Sequence, residues 1–219
     1  MKDEQNFKDM AAQLRKPDGE DASKTGDMMS KGNMHIIYDS FKVLDAKAND
    51  NILEIGMGNG FYVNEILEKS DNIQYTGCDY SEFMVQESEK LNAGWIAKGR
   101  AKFIQSSITA LPFESSIFNK IFTVNTIYFW DNETDALNEI KRVIQPDGIF
   151  IIAFRPKHQT EKYPFTKYGF NQFSKRDVEN LLAGNGFSII DIFENQEPPF
   201  EMNGLIMETE NVVVVARKA

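Results

Sequence analysis

One cysteine, two histidines and no window of eighteen uninterrupted apolar residues are the scarcities that bound this 219-residue chain. The lone Cys78 excludes an intrachain disulfide framework and any zinc site built from several cysteines. Two histidines, His35 and His158, are too few for a histidine-rich metal centre, so no metal is expected. Nothing reads as a membrane span, and the opening MKDEQNFKDM has no apolar stretch of the signal-peptide kind. Positive charge is short as well. The 24 Lys and Arg face 33 Asp and Glu, a net of −9, so the surface repels phosphate backbones and offers no general basic field. These absences point to a soluble, cytoplasmic protein that handles a small molecule, with neither nucleic acid nor membrane as a partner.

What is present suits one α/β domain. An apolar fraction of 42% with 12% aromatics can build a substantial core. Residues 1–33 are polar and interrupted by Pro17, Gly19, Gly26 and Gly32. Within them Phe7, Met10, Ala11 and Leu14 form one stripe of a short helix. This segment is expected to be a flexible terminus or a lid, ahead of a single domain over 34–219. Asn33 is a good cap for a following helix with Met34, Ile37, Phe41 and Leu44 on one face.

From residue 50 short apolar runs alternate with helical stretches. Strands are predicted at Asn51–Ile55, Gln74–Cys78, Lys102–Gln105, Ile117–Val124, Gly148–Phe154, Phe187–Phe193 and Val212–Arg217, and helices around 60–69, 81–93, 133–144 and 174–185. Such alternation implies right-handed crossovers and a parallel sheet covered on both faces. The last two strands are joined by residues 194–211 with no helical pattern between them, which predicts an antiparallel hairpin closing one edge.

The most informative stretch is Ile52-Leu53-Glu54-Ile55-Gly56-Met57-Gly58-Asn59-Gly60, an apolar strand running into three alternating glycines and then a helix. Glycines there let a ligand approach the backbone with no Cβ in the way, and open parallel sheets bind ligands at the carboxyl ends of their strands. A dinucleotide fingerprint needs its third glycine one position later, where Phe61 stands. Glu54 also brings a carboxylate near the loop, which suits a cationic or zwitterionic head and opposes a pyrophosphate. Asp79, ending the second strand, can accept two ribose hydroxyls; the competing role of helix cap can fall to Ser81.

With Glu54, Gly56, Gly58, Gly60 and Asp79 in place, the chain resembles the class I S-adenosylmethionine (SAM) dependent methyltransferases. It looks closest to the small-molecule branch that includes the ubiquinone and menaquinone biosynthesis enzymes. Two further blocks match in order: Ser106–Phe113 is similar to the family's G-D-A-x-x-L-P-F segment, and Glu139–Gly148 to its E-x-x-R-V-L-K-P-G-G segment. The resemblance implies a Rossmann-like seven-stranded sheet in the order 3-2-1-4-5-7-6, strand 7 antiparallel, with helices on both faces. It implies SAM as cofactor. The three glycines would pass under its methionine part, Glu54 would face the ammonium end or support the loop, and Asp79 would hold the ribose. Tyr80 would pack on the adenine, Ser107 and the Ile108 backbone would face its edge, and Asn125 would offer its carbonyl or side chain to the amino group. Ser107 departs from the family's usual aspartate, a loss of charge assistance of about 1 kcal/mol.

The acceptor side is less legible. Methyl transfer from an activated donor mainly needs aligned partners and excluded water, so no metal, no covalent intermediate and no identified catalytic residue is expected. Tyr128, Arg155, His158 and Tyr38 are the candidates for touching substrate. The stretch Arg155–Phe173 carries Arg155, Lys157, Lys162 and Lys167 against Glu161 alone, which points to an anionic or aromatic small-molecule acceptor. The rival reading from a different class is a SAM-binding protein without turnover.

Overall fold

The computed structural model describes residues 2–202 and 205–219. Three helices lead, α1 (Lys2–Arg15), α2 (Ala22–Gly32) and α3 (Met34–Leu44). They are followed by β1 (Asn51–Ile55), α4 (Val63–Leu67), β2 (Gln74–Asp79), α5 (Glu82–Leu91), α6 (Ala93–Ala97), β3 (Ala101–Gln105), β4 (Phe118–Val124), α7 (Glu133–Val143) and β5 (Ile144–Phe154). The chain closes with α8 (Lys157–Thr160), α9 (Lys175–Gly184), β6 (Phe187–Gln196), a small hairpin of β7 (Phe200–Met202) and β8 (Leu205–Met207), and β9 (Glu210–Lys218).

Seven strands form one sheet in the order β3-β2-β1-β4-β5-β9-β6. β1 to β5 run parallel, and β9, the seventh of the sheet's strands in chain order and the sixth in position, lies antiparallel to both β5 and β6. The expected order and the expected reversed strand are therefore both present. Residues 194–211 hold the β7–β8 hairpin as an excursion between the edge strand β6 and its neighbour β9.

Both faces of the sheet are buried because neighbouring residues of each strand feed opposite layers. Leu53, Ile121, Ile152 and Val214 pack under α7 and α9. Ile52, Phe122, Ile151 and Val213 pack on the other side under α3 and α4. The two blocks matched after β3 turn out to brace each other. Arg142 donates to the carbonyls of Leu111 (2.8 Å) and Phe113 (2.6 Å) and to both carboxylate oxygens of Glu139, and Glu139 accepts from Leu111 N–H (2.8 Å). That guanidinium keeps the Glu139 carboxyl below the ordinary range.

The leading segment differs from its expectation in detail. Gly26 does not interrupt α2, which runs through it to Gly32. The buried face of α3 is Ile36, Ser40, Phe41 and Leu44, while Met34 is exposed. Asn33 stands at the start of α3, but its side chain makes no cap hydrogen bond there; its oxygen is engaged elsewhere. A missing cap of this kind costs a helix about 1 kcal/mol.

Candidate functional site

The crossovers run one way from β1 through β2 to β3 and the other way from β4 to β5, so the carboxyl ends of β1 and β4 diverge. A crevice at that point is the expected ligand site of an open parallel sheet, and the structure has a cavity of about 1370 Å³ there. Its floor is the glycine loop and the ends of β1, β2 and β4, its roof is α1 and α2, and its far wall comes from the region after β5.

The glycine loop leaves β1 through left-handed backbone at Gly56 (φ 76°) and Gly58 (φ 58°). At Gly56 a Cβ would stand 2.3 Å from Thr126 Cγ2, so the loop can pass under the end of β4 only without a side chain. At Gly58 a Cβ would meet nothing within 4 Å, which leaves that stretch of backbone bare toward the cavity. Gly60 packs against α5, its carbonyl accepting from Asn92 Nδ2 (3.0 Å).

Two carboxylates flank this loop. Glu54 accepts from the Tyr75 hydroxyl (2.5 Å), and burial pushes its pKa up to about 7, with the nearby Asp79 charge adding to the rise. Asp79 accepts from Gly58 N–H (2.9 Å) at one oxygen and from Ser81 N–H (2.8 Å) at the other. Burial raises its pKa despite those bonds. No basic side chain is among the groups that hold either carboxyl down. Each Asp79 oxygen has a second lone pair left for a ligand hydroxyl. Ser81 takes the cap of α5, accepting from Met84 N–H (3.2 Å) and donating to Pro17 O (2.5 Å), so Asp79 is spared that duty.

The remaining predicted cofactor residues gather around the same cavity. Tyr80 is exposed, with Lys16 Nζ 5.0 Å from its ring centroid. The Ser107 hydroxyl pairs with Thr109 Oγ1 (2.9 Å) and, with Ile108, lines the wall. Asn125 follows β4 in left-handed backbone (φ 55°). Both ends of its side chain are occupied: Nδ2 donates to Asn33 Oδ1 (3.0 Å), and Oδ1 accepts from the Tyr128 hydroxyl (2.9 Å).

The acceptor candidates divide. Tyr128 and Arg155 line the cavity; His158 and Tyr38 do not. His158 is largely exposed and faces Glu210 (2.5 Å), and Tyr38 donates to Glu65 (3.3 Å). The Tyr128 hydroxyl is shared among Asn125 Oδ1, Arg155 O and Arg155 N–H, and burial pushes its pKa far up. Arg155 is bound to the buried Glu197 (2.7 Å), to Gly32 O and to Asn33 Oδ1. Of the four basic residues that sequence grouped after β5, only Arg155 reaches the cavity.

Sequence reasoning passed over several wall residues. Tyr163, Phe165 and Phe170 join Phe129 to make an aromatic end, with Phe129 and Phe170 rings 4.6 Å apart and Tyr163 stacked on Phe165 at 5.6 Å. Glu197 and Thr209, from either side of the β7–β8 hairpin, border it too. The signal for the aromatic residues was the aromatic density of residues 155–173; Glu197 and Thr209 had none beyond lying in or beside the connection 194–211.

A glycine loop under a doubly wound sheet, with an acid at the end of β1 and another at the end of β2, is the ligand-site architecture of an α/β Rossmann-like fold. The family profile described as "Methyltransferase domain" matches residues 53–152. YrhH of Bacillus subtilis (strain 168), a methyltransferase by name, is 32% identical over 125 residues, 57% of this chain and 67% of that protein. The ubiquinone/menaquinone biosynthesis C-methyltransferase UbiE of Rickettsia bellii is 27% identical over 183 residues, 78% of this chain and 73% of the relative. A solved SAM-dependent methyltransferase from Aquifex aeolicus shares the fold with a TM-score of 0.70 at 18% identity, covering 90% of this chain and 98% of its own. The chain belongs to the SAM-dependent methyltransferases, and SAM is its cofactor.

The residues present fit that group. Two partly buried carboxylates without a basic partner favour a ligand carrying positive charge, and the bare face at Gly58 gives it room to lie on the backbone.

Proposed function

We propose that this protein transfers the methyl group of SAM to a small, uncharged, aromatic or apolar acceptor held at the aromatic end of the cavity. The observation that carries it is one cavity with two unlike ends. The acidic end is made by Glu54, Asp79 and the glycine loop, and the other by Tyr163, Phe165, Phe170 and Phe129. Of the two acceptor chemistries expected from sequence, the aromatic one is retained. Arg155 is neutralised by Glu197, and Lys157, Lys162 and Lys167 stand away from the cavity, so none of these four residues offers an anion a free partner there.

Within this reading Gly56, Gly58 and Gly60 carry the methionine part, Glu54 faces its ammonium, and Asp79 takes the ribose. Tyr80, Ser107 and Ile108 border the adenine. Asn125 contributes its backbone carbonyl or the second lone pair of its Oδ1. When bound, SAM supplies an activated methyl on a sulfonium. The chain's own work is to hold the acceptor in line and keep water out. Helices α1 and α2 serve as the lid over both ligands, and α3 onward is the methyltransferase domain. An acceptor of about twenty heavy atoms or fewer suits the room left beside a nucleoside.

Thermal unfolding tests the cofactor end. SAM or S-adenosylhomocysteine at about a hundred times Kd should add about 2.7 kcal/mol, which raises the midpoint by about 5–10 °C for a domain of this length. A nicotinamide dinucleotide should give no shift. A shift with the dinucleotide and none with SAM would overturn the assignment.

A further inference from the structure

The oxygen that ought to cap α3 is used for something else. Asn33 Oδ1 accepts from Asn125 Nδ2 (3.0 Å) and from Arg155 Nη1 (3.1 Å), two residues far away in sequence. Asn33 sits where α2 ends and α3 begins, and Arg155 also donates to the Gly32 carbonyl (3.0 Å) at that junction. The other face of Arg155 is bound to Glu197, whose carboxylate also accepts from Thr209 and Asn211.

Asn125 has the opposite character. Its left-handed backbone is sparsely populated for a residue with a side chain and persists only where its surroundings over-determine it. Three bonds do so: N–H to Ala153 O (2.8 Å), Oδ1 from Tyr128, and Nδ2 to Asn33. The first two come from the sheet and its own turn. The third comes from the junction of α2 and α3.

The network also tolerates a loss that favours no simpler structural role. Among the described residues, Arg155 Nε is a buried side-chain nitrogen with no hydrogen-bond partner. Leaving such a group unpaired is unfavourable, yet the guanidinium is held where it reaches Asn33, Gly32 and Glu197 together. Meanwhile α2 lies directly over the glycine loop, with Ser30 Oγ donating to Asn59 Oδ1 (2.9 Å) and Tyr62 donating to Ser30 O (3.1 Å).

We propose that Asn33 is a positioning residue: its side-chain oxygen makes the orientation of Asn125, and with it the affinity for cofactor, conditional on α2 being docked over the glycine loop. This rests on reading the glycine loop and Asn125 as the cofactor site. Asn33 need not touch the ligand itself. Arg155 extends the same condition to the acceptor wall through Glu197.

The test is titration calorimetry with S-adenosylhomocysteine alongside amide exchange over residues 22–32, on the full chain and three folded variants. Asn33→Ala should bind about tenfold or more weakly, as expected for two lost hydrogen bonds, and keep fast exchange in α2 with ligand present. Asn33→Asp offers the same acceptor oxygen to both donors and should restore affinity to within about threefold. Ser30→Ala removes one of the bonds that seat α2 and leaves Asn33 Oδ1 in place; it should speed exchange in α2 and weaken binding clearly less than Asn33→Ala, by about threefold at most. Wild-type affinity in Asn33→Ala overturns the proposal. So does equal weakness in Ser30→Ala or in Asn33→Asp, because affinity would then follow general packing of α2. If Asn33→Ala does not fold, Asn33→Gln, which cannot hold both donors from one more methylene away, takes its place. A wild-type chain without affinity for S-adenosylhomocysteine sinks the cofactor reading instead; the latch is then judged on the free protein, where unchanged α2 exchange in Asn33→Ala overturns it.

Discussion

Glu54 is held between two demands. In the ligand-free protein its carboxylate sits partly buried beside Asp79 with Tyr75 as its hydrogen-bond donor, and its pKa stands near 7. A raised pKa means that the fold prefers the neutral acid. The associated stability is full below about pH 4.5 and is lost as pH rises through 7. Glu54→Gln is therefore expected to match the wild type near pH 4.5 and to exceed it by about 1–3 kcal/mol at pH 8, measured by urea unfolding without ligand. The same variant should bind a cationic ligand more weakly at pH 8, since the charge that strains the fold is the one proposed to face the ammonium. A stability gain that did not grow with pH would refute this account. Gly56 makes a second residue-scale case. Its φ of 76° and the 2.3 Å approach to Thr126 Cγ2 are separate obstacles to any side chain. Gly56→Ala should cost about 2–4 kcal/mol, combining left-handed strain with overpacking. Adding Thr126→Ser removes the clashing methyl and should recover only part of it, a difference that a double-mutant cycle in chemical unfolding measures.

At the scale of elements, the docking of α2 depends on its smallest residue. A Cβ on Gly26 would come 3.1 Å from Met84 Cε and 3.6 Å from Asn59 Nδ2. Alanine is expected to be nearly neutral, because the end of a methionine yields and the helix gains about 1 kcal/mol in propensity. Gly26→Leu has no such room and should lift α2, seen as faster proteolysis within residues 16–21 and weaker retention of S-adenosylhomocysteine. Equal protection in Gly26→Ala and Gly26→Leu would show that α2 is not seated on this contact. The pair Arg155–Glu197 joins β5 to the strand-linking excursion, with side-chain exposures of 17% and 4%. Removing one partner strands a buried charge. Arg155→Leu alone should cost about 3–5 kcal/mol, and Arg155→Leu with Glu197→Leu distinctly less, as equilibrium unfolding of the single and double variants would report.

For the whole molecule, the leading helices are covers more than core. Among the described residues before α3, the buried apolar side chains are the small Ala11, Pro17 and Ala22, whereas each face of the sheet buries its own large cluster. A chain starting at Asn33 should accordingly keep a cooperative unfolding transition and lose most of its affinity for S-adenosylhomocysteine; loss of the transition itself would place residues 2–32 in the core. The net charge of −9 has its local counterpart in the cavity, where Glu54 and Asp79 lack basic partners. Among the described residues no helix is long and apolar enough to cross a membrane, and no cluster of three or more metal-ligating side chains forms.

The strand order and the place of the glycine loop were legible in the sequence: alternating apolar runs set the elements, and the strand–glycine–helix stretch with Asp79 closing β2 sets the loop within about 25 residues. Helix α2 was missed because Gly26 reads as a breaker in isolation and becomes a contact only when Met84 and Asn59 lie beneath it. The acceptor end was illegible for a related reason. Tyr128, Arg155, Glu197 and Thr209 come together from segments up to 81 positions apart, and no spacing rule links them. Charge was misleading in the same way: Arg155 counts as a free cation in sequence and is neutralised in space. Local backbone chemistry decided where the glycine loop and its two flanking carboxylates lie, whereas which oxygens and charges remain available to a second ligand was decided by long-range pairing that only the folded chain brings about.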